Sequence, residues 1–337
     1  VNLLEQQAAN RHRTWAVMIV FVAFLVFLGA GFDLFVIGGG GSYVPLGTTI
    51  ALLVGFGSSW ASMRLGDRMV LASASAEPLD QAIANATTDE EKLRYRQFDD
   101  IVEEMAIAAG LPKPATYVVP DRDPNAFATG RDPQHASLAV TEGLLQTLNR
   151  EELQGVVAHE MSHIRNFDIR LMMIVAALVG AVALMADWAG RGMWFGGGRG
   201  RSRREDDRGG GGAAGAIFFV LWIVAIILAP IVGRLLAMWV SRTREYQADA
   251  SGAELTRNPL ELASALEKIE DAVEPTTAIK RGTAHLCIAD PMGKLADGEG
   301  GFSALWATHP PMAKRIEALK QMAYQAGLKA GPSSSRA

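Results

Sequence analysis

The 337-residue chain is 49% hydrophobic and 20% charged, with a mean hydropathy of +0.14, a balance too apolar for a simple soluble protein. Its net charge of -4 and pI near 5.9 give no sign of nucleic acid as a partner, and none is expected. The single cysteine, Cys287, excludes an internal disulfide framework and a cysteine-based zinc site, and reads as a buried, inert thiol.

The first elements are hydrophobic. A polar start carrying Arg11 and Arg13 gives way to an uncharged run from Thr14 to Gly31, and a second run covers Tyr43 to Met63, followed by Arg64 and Arg68. Each is long enough, at about 20 residues, to cross a bilayer as a helix. The first run has no clear small-x-small cleavage site and a second follows closely, so residues 1–70 read as an uncleaved transmembrane hairpin. Asp33 fits its water-facing turn. Arginines at both outer ends place the termini, and the segment that follows, in the cytoplasm.

From Ala72 to Asp100 the chain is polar and acid-rich. A helix is expected from Asp89 to Gly110, where Gly110 and Pro112 stop it. Ala115–Val119 is a strand between Pro114 and Pro120, Asp121–Gly130 a turn leading into a short strand, and Ala136–Thr141 another strand. Together they form a small sheet whose exposed edge either holds an extended peptide by strand addition or is a plain structural hairpin. Thr141 and Glu142 restart helix. Asn149 caps the next helix, with Glu151 and Glu152 in its first turn. That helix is expected to continue through Asn166, Phe167 and Asp168 to Arg170.

Two further apolar runs, Leu171–Met185 and Ala213–Val240, read as a second hydrophobic pair, or as long helices partly buried in lipid that cover the site. Between them Gly190–Gly212, with six arginines against three acids, reads as a disordered link. If ligands on both sides of this pair bind one metal, the pair crosses the membrane twice or not at all. The arginine bias is the wrong one for an external loop, so the two options stay open. Ala263–Ile269 is helical, Gly282–Pro291 a short core segment ending in a turn, and Gly293–Gly301 a flexible link. Lys314–Ala330 is an amphipathic terminal helix, and residues 331–337 fray.

The chemistry centres on His159-Glu160-Met161-Ser162-His163. Residues four apart share a helix face, so His159 and His163 turn both imidazoles to one side, and Glu160 lies where it reaches a metal-bound water. This is a zinc metallopeptidase pattern; two satisfied helical histidines are the bland alternative. Glu245 fits as third ligand, leaving the fourth position to water. Asp249, one turn on, fits as acceptor of a liganding histidine's other ring N–H. The alternative is a solvated helix end whose acids pair with Arg242 and Arg244. In the metallopeptidase reading Glu160 is the general base, and His309, in Ala307-Thr308-His309-Pro310-Pro311, is a candidate oxyanion donor, ahead of Arg242 and Arg244. His12 and His135 carry no pattern.

In combination these stretches resemble the HtpX-type membrane zinc endopeptidases, bacterial relatives of the CAAX prenyl endopeptidases. The matching residues are Pro124-Asn-Ala-Phe-Ala-Thr-Gly130, Thr141-Glu-Gly-Leu-Leu145, Glu152 through Asp168, Arg244-Glu-Tyr-x-Ala-Asp249, and His309-Pro-Pro with Arg315-Ile316. The layout matches too, with one hydrophobic pair at the start and another between the motifs. The resemblance implies a mainly α membrane protein with four hydrophobic helices and an α+β zincin-like catalytic domain, its motif helix beside a small sheet. That domain is divided into residues 71–170 and 241–330 by the hydrophobic pair of 171–240. It also implies a multi-pass protease of the bacterial inner membrane, facing the cytoplasm, that degrades misfolded membrane or soluble proteins in stress response. One zinc per chain would be held by His159, His163 and Glu245, with Glu160 as base and Asn166, Asp168 and Asp249 supporting the ligands. Asn125, Ala126, Phe127, Ala128 and Thr129 would form the substrate-facing strand, with His309 and Arg315 near the site. The long acidic stretch Ala72–Asp89 and the arginine-glycine loop depart from the family pattern. Two other functions compete. A processing enzyme for dedicated prenylated peptides needs a large enclosed chamber, for which two short hydrophobic pairs are too few. A non-catalytic zinc scaffold needs a fourth protein ligand, such as His309 in a latent state.

Overall fold

The structure, a computed structural model, describes residues 3–34, 45–173, 217–225, 244–272, 276, 278–279, 286–289 and 310–325. His309, Arg242, the Gly190–Gly212 loop, most of the second hydrophobic pair and residues 331–337 lie outside them. The chain divides into two compact units, one built from residues 12–62 and 174–236, the other from the remainder.

The first unit is hydrophobic. Helix α1 (Leu3–Phe32) carries its apolar stretch at Met18–Phe32, and α2 (Leu46–Ser73) is, among the described residues, the helix long and apolar enough to cross a membrane. Ile19, Val20, Leu53, Phe56 and Trp60 are 61–69% exposed, the reverse of a soluble core and the arrangement hydrocarbon favours. The second apolar run therefore becomes a helix that continues past Met63 to Ser73 and takes in Arg64 and Arg68. Asp33 is not water-facing. It is 1% exposed and accepts the N–H groups of Gly47 (2.6 Å) and Thr48 (2.8 Å) and the Thr48 hydroxyl (2.8 Å). The first N–H groups of a helix have no partner within it, and a carboxylate from the preceding turn supplies one. The helices meet closely here: a Cβ on Gly47 would lie 2.7 Å from the Gly29 carbonyl oxygen.

The second unit packs helices on one sheet. Strands β1 (Glu77–Pro78), β2 (Ala115–Val119), β3 (Ala126–Gly130) and β4 (Ala136–Thr141) lie in the order β1-β2-β4-β3. β2 and β4 are parallel, with Val118 opposite Val140, and β3 is antiparallel to β4, with Ala128 opposite Leu138. Helix α3 (Leu79–Asn85) leads to α4 (Asp89–Ala109), which starts in a Thr88–Glu91 capping box and stops at left-handed Gly110. After α5 (Glu142–Thr147), the Asn149–Glu152 capping box opens α6 (Arg150–Arg165). Phe98, Ile101, Leu138, Val157, Met161 and Leu266 are fully buried where α4, β4, α6 and a later helix meet. Buried Glu152 also accepts bonds from Ser264 and Lys268, both 2.7 Å, which tie α6 to that helix, Pro259–Asp271.

The helix that carries the histidine motif does not run on to Arg170. It ends at Arg165. Asn166 N–H returns to the Ser162 carbonyl, Phe167 takes a left-handed φ of 59°, and helix α7 restarts at residues 168–173. The remaining described helices are α8 (217–225), α9 (244–256), α10 (Pro259–Asp271) and α11 (Met312–Gln325).

Replacing Asp33 with Ala removes the acceptor for three donors at the start of α2. The expected loss is about 1–3 kcal/mol, read as a lower thermal midpoint of the detergent-solubilised protein; an unchanged midpoint would mean that water satisfies these donors equally well.

Candidate metal centre

The four-residue spacing on α6 does what it promises. His159 and His163 face each other with their Nε2 atoms 3.2 Å apart and rings nearly perpendicular at 87°. Glu245, from α9, brings Oε2 to 3.6 Å from His159 Nε2 and Oε1 to 3.7 Å from His163 Nε2. The three donor atoms lie within 4.8 Å of one another, and all three residues are buried.

The residues fit zinc. A tetrahedral ion with bonds near 2.0–2.1 Å holds its donors about 3.3 Å apart, close to the separation of the two nitrogens. Two neutral imidazoles cannot aim lone pairs at each other over that distance unless a proton or a cation lies between them. Charge points the same way. Among the described residues around the cluster, the buried carboxylates Glu160, Asp168, Glu245 and Asp249 face the buried guanidiniums Arg244 and Arg315. With neutral histidines, that leaves an excess of two negative charges, the complement of one divalent cation. Among the described residues the cluster offers three protein donors and is positioned to coordinate a single zinc ion.

The far side of each imidazole is also held. His159 Nδ1 lies 2.9 Å from Asp249 Oδ1, and His163 Nδ1 lies 3.3 Å from Asp168 Oδ2. Each aspartate is in turn held by an arginine. Arg315 donates Nε and Nη2 to Asp249 at 2.9 and 2.7 Å, and Arg244 Nε lies 3.3 Å from Asp168. The turn at 166–167 makes the second pairing possible. Along an unbroken helix a residue five positions on points about 140° away, so Asp168 would face away from His163. Burial works against charge on Asp249, but Arg315 and His159 hold its carboxyl below the usual range. Burial likewise depresses His159, yet Asp249 and Glu245 raise its pKa to about 9; the field that retains a proton here also retains a metal. A close approach of helices sets the geometry. A Cβ on Gly252 of α9 would lie 3.0 Å from the His159 backbone nitrogen.

Glu160 is 1% exposed. Its pKa is raised by burial and by the Glu245 charge, against the pull of His159 and His163. The Ala128 amide of β3 is near enough to favour the carboxylate, but neither Glu160 oxygen closes a hydrogen bond.

β3 differs from the exposed edge expected of it. Its five residues are all buried. Asn125 donates Nδ2 to the Ala289 carbonyl (3.2 Å) and accepts from Ala289 N–H (3.4 Å), Ala126 accepts from Ile288 N–H (2.9 Å), and Phe127 pairs with Cys287. Thr129 donates to Met173 Sδ (3.1 Å). Asn166 contributes its main chain to the turn that ends α6. His135 pairs with Asp132 and Arg131 on the surface. The residues alone offered Arg244 as a weak oxyanion candidate or as the partner of acids on its own helix end, not of Asp168. The resemblance placed Arg315 near the site without naming its partner, and the Arg315–Asp249 contact spans 66 residues with no local pattern to announce it.

Zinc binding to the metal-free protein near neutral pH must displace the proton His159 carries there, since its pKa lies at about 9. Calorimetry in buffers of different ionisation enthalpy should show proton release; a buffer-independent enthalpy would contradict it. Arg315→Met leaves Asp249 without its cation and should weaken zinc affinity about 10–100-fold. Arg315→Lys recovers only part, because one ammonium cannot replace the fork. Competition with a zinc chelator measures both, and wild-type affinity in Arg315→Met would show the arginine to be dispensable.

Comparison with known proteins shows the family of the chain. The model of Peptidase family M48 matches residues 92–323. A protein named "Protease HtpX homolog" from Caldanaerobacter subterraneus subsp. tengcongensis is 41% identical over 320 residues, covering 95% of this chain and 98% of its own. Another of that name, from Lactiplantibacillus plantarum, is 42% identical over 322 residues, covering 95% and 100%. A crystal structure of S. mikatae Ste24p is similar with a TM-score of 0.48 and 17% identity, over 94% of this chain and 67% of that one. The chain belongs to peptidase family M48, as an HtpX-like metalloendopeptidase.

Proposed function

We propose that this chain is a membrane-anchored, zinc-dependent endopeptidase that hydrolyses peptide bonds of misfolded or damaged membrane proteins, in the inner membrane of a bacterium and facing the cytoplasm. One observation carries the reading. A buried carboxylate, Glu160, stands beside a His-His-Glu donor cluster and against the strand β3, with neither oxygen committed to a hydrogen bond. The outward-facing apolar side chains of α1 and α2 support the anchor. Arg11 and Arg13 before the first apolar run, and Arg64 and Arg68 in the last part of α2, support the orientation.

Zinc, when bound, supplies a Lewis acid that polarises the scissile carbonyl and lowers the pKa of water. Glu160 accepts the proton of the attacking water and delivers it to the leaving amine. Burial, which raises its pKa, suits a group that must hold that proton for part of the cycle. His159 and His163 keep Nε2 toward the metal because Asp249 and Asp168 take the Nδ1 side. His309, which lies outside the described residues, stays the sequence's candidate for the oxyanion or for a latent fourth ligand.

Detergent-purified wild type and Glu160→Gln, each with zinc per chain verified, decide the matter. An unfolded transmembrane protein and casein serve as substrates. Glu160→Gln should keep its zinc and lose about 100- to 10,000-fold in rate. Equal cleavage by both would remove Glu160 from the reaction, and zinc-loaded wild type that cuts neither substrate would move the chain to the scaffold reading.

A further inference from the structure

We propose that residues 286–289 occupy, in the resting enzyme, the edge of β3 where substrate backbone would pair, and that they leave it for cleavage. The inference rests on the endopeptidase reading and concerns the regulation of the same site.

The pairing pattern comes first. In an antiparallel ladder, N–H and C=O of one residue point to the same side, and the side alternates along the strand. Asn125 turns its carbonyl to Thr141 of β4 (2.9 Å), so Ala126 and Ala128 turn theirs outward. The outward carbonyl of Ala126 accepts the Ile288 N–H at 2.9 Å, and Cys287 sits opposite Phe127 in an antiparallel bridge. The Asn125 amide grips the next residue from both sides, donating to the Ala289 carbonyl (3.2 Å) and accepting its N–H (3.4 Å). Main-chain bonds along an edge, closed by an amide that reads both main-chain groups of one residue, hold an added strand. Here the added strand belongs to the chain itself.

Access comes second. His159, Glu160 and Glu245 are at most 1% exposed and His163 5%. β3, the strand against Glu160, is buried along its whole length. A peptide bond cannot reach Glu160 in this arrangement, so part of it must move. Among the described residues, 286–289 are the ones bonded to the outward side of β3.

A link to the metal cluster comes third. Arg315 Nη1 donates to the Ile288 carbonyl at 2.7 Å and lies 3.2 Å from Glu245 Oε2. One guanidinium thus joins the occupant to the third ligand and to Asp249. When residues 286–289 leave, that N–H is released beside the site for an incoming peptide carbonyl.

Cys287 is the single cysteine of the sequence, which provides a lock. Its bridge with Phe127 is flanked by hydrogen bonds rather than containing them, a pair type with Cα atoms about 4.5 Å apart, within disulfide range. The Phe127→Cys variant of the full, zinc-loaded chain is oxidised with oxidised glutathione and assayed on casein before and after reduction. The expected result is a disulfide between positions 127 and 287, unchanged zinc, and cleavage at least about tenfold slower when oxidised than when reduced. Equal rates in the two states, or failure of the disulfide to form, would overturn the proposal. Should the variant cut in neither state, the Glu160→Gln protein with native Cys287 decides. Casein should accelerate the reaction of Cys287 with a maleimide, and an unaltered labelling rate is the contrary outcome. Wild type that fails to cut casein counts against the endopeptidase reading alone, because the labelling result stands without cleavage.

Discussion

Two imidazole nitrogens held 3.2 Å apart in a buried site repel each other unless something positive lies between them. The rest of the catalytic unit is the structure needed to keep them there. Each ring has an aspartate close behind it, and each aspartate faces an arginine from a distant segment. The two arrangements are alike in chemistry and different in origin. Asp249 and Arg315 come from α9 and α11, whereas Asp168 follows α6 itself and Arg244 opens α9. Burying a carboxylate without a cation is costly, and burying an arginine without an acid equally so, so neither half of either arrangement is stable alone.

This dependence explains why the catalytic helix stops where it does. A longer α6 would be better in isolation, since each added residue gains a hydrogen bond. The left-handed Phe167 gives that up locally and turns Asp168 back toward His163. The same reasoning accounts for Gly252: α9 must approach the backbone of α6 closely enough for Glu245 to share a face with both histidines, and a side chain at that position would push the helices apart. Both features are local departures that only the shared metal geometry makes favourable.

Asp33 and β3 show how the same rule operates away from the metal. A buried polar edge must be satisfied by something. At the start of α2 it is the Asp33 carboxylate, and along β3 it is residues 286–289. In each case a group expected to face water or substrate is instead taken up by another part of the chain.

Much of this was legible in the residues alone. Hydrophobic runs, the cap Asn149 and the stop at Gly110, and the strands at 115–119 and 136–141 depend on near neighbours, and so did the facing of His159 and His163. Glu245 could be picked out because four-residue periodicity and chemistry pointed together. What sequence could not decide is set by contacts between residues far apart in the chain: Arg315 on Asp249, Lys268 on Glu152, Ile288 on Ala126. Local periodicity carries no trace of such contacts, because each partner alone reads as an ordinary surface charge or core residue. The break after Arg165 belongs to the same class. Helix propensity favoured continuation, and only the tertiary demand for a carboxylate behind His163 gives the turn its reason.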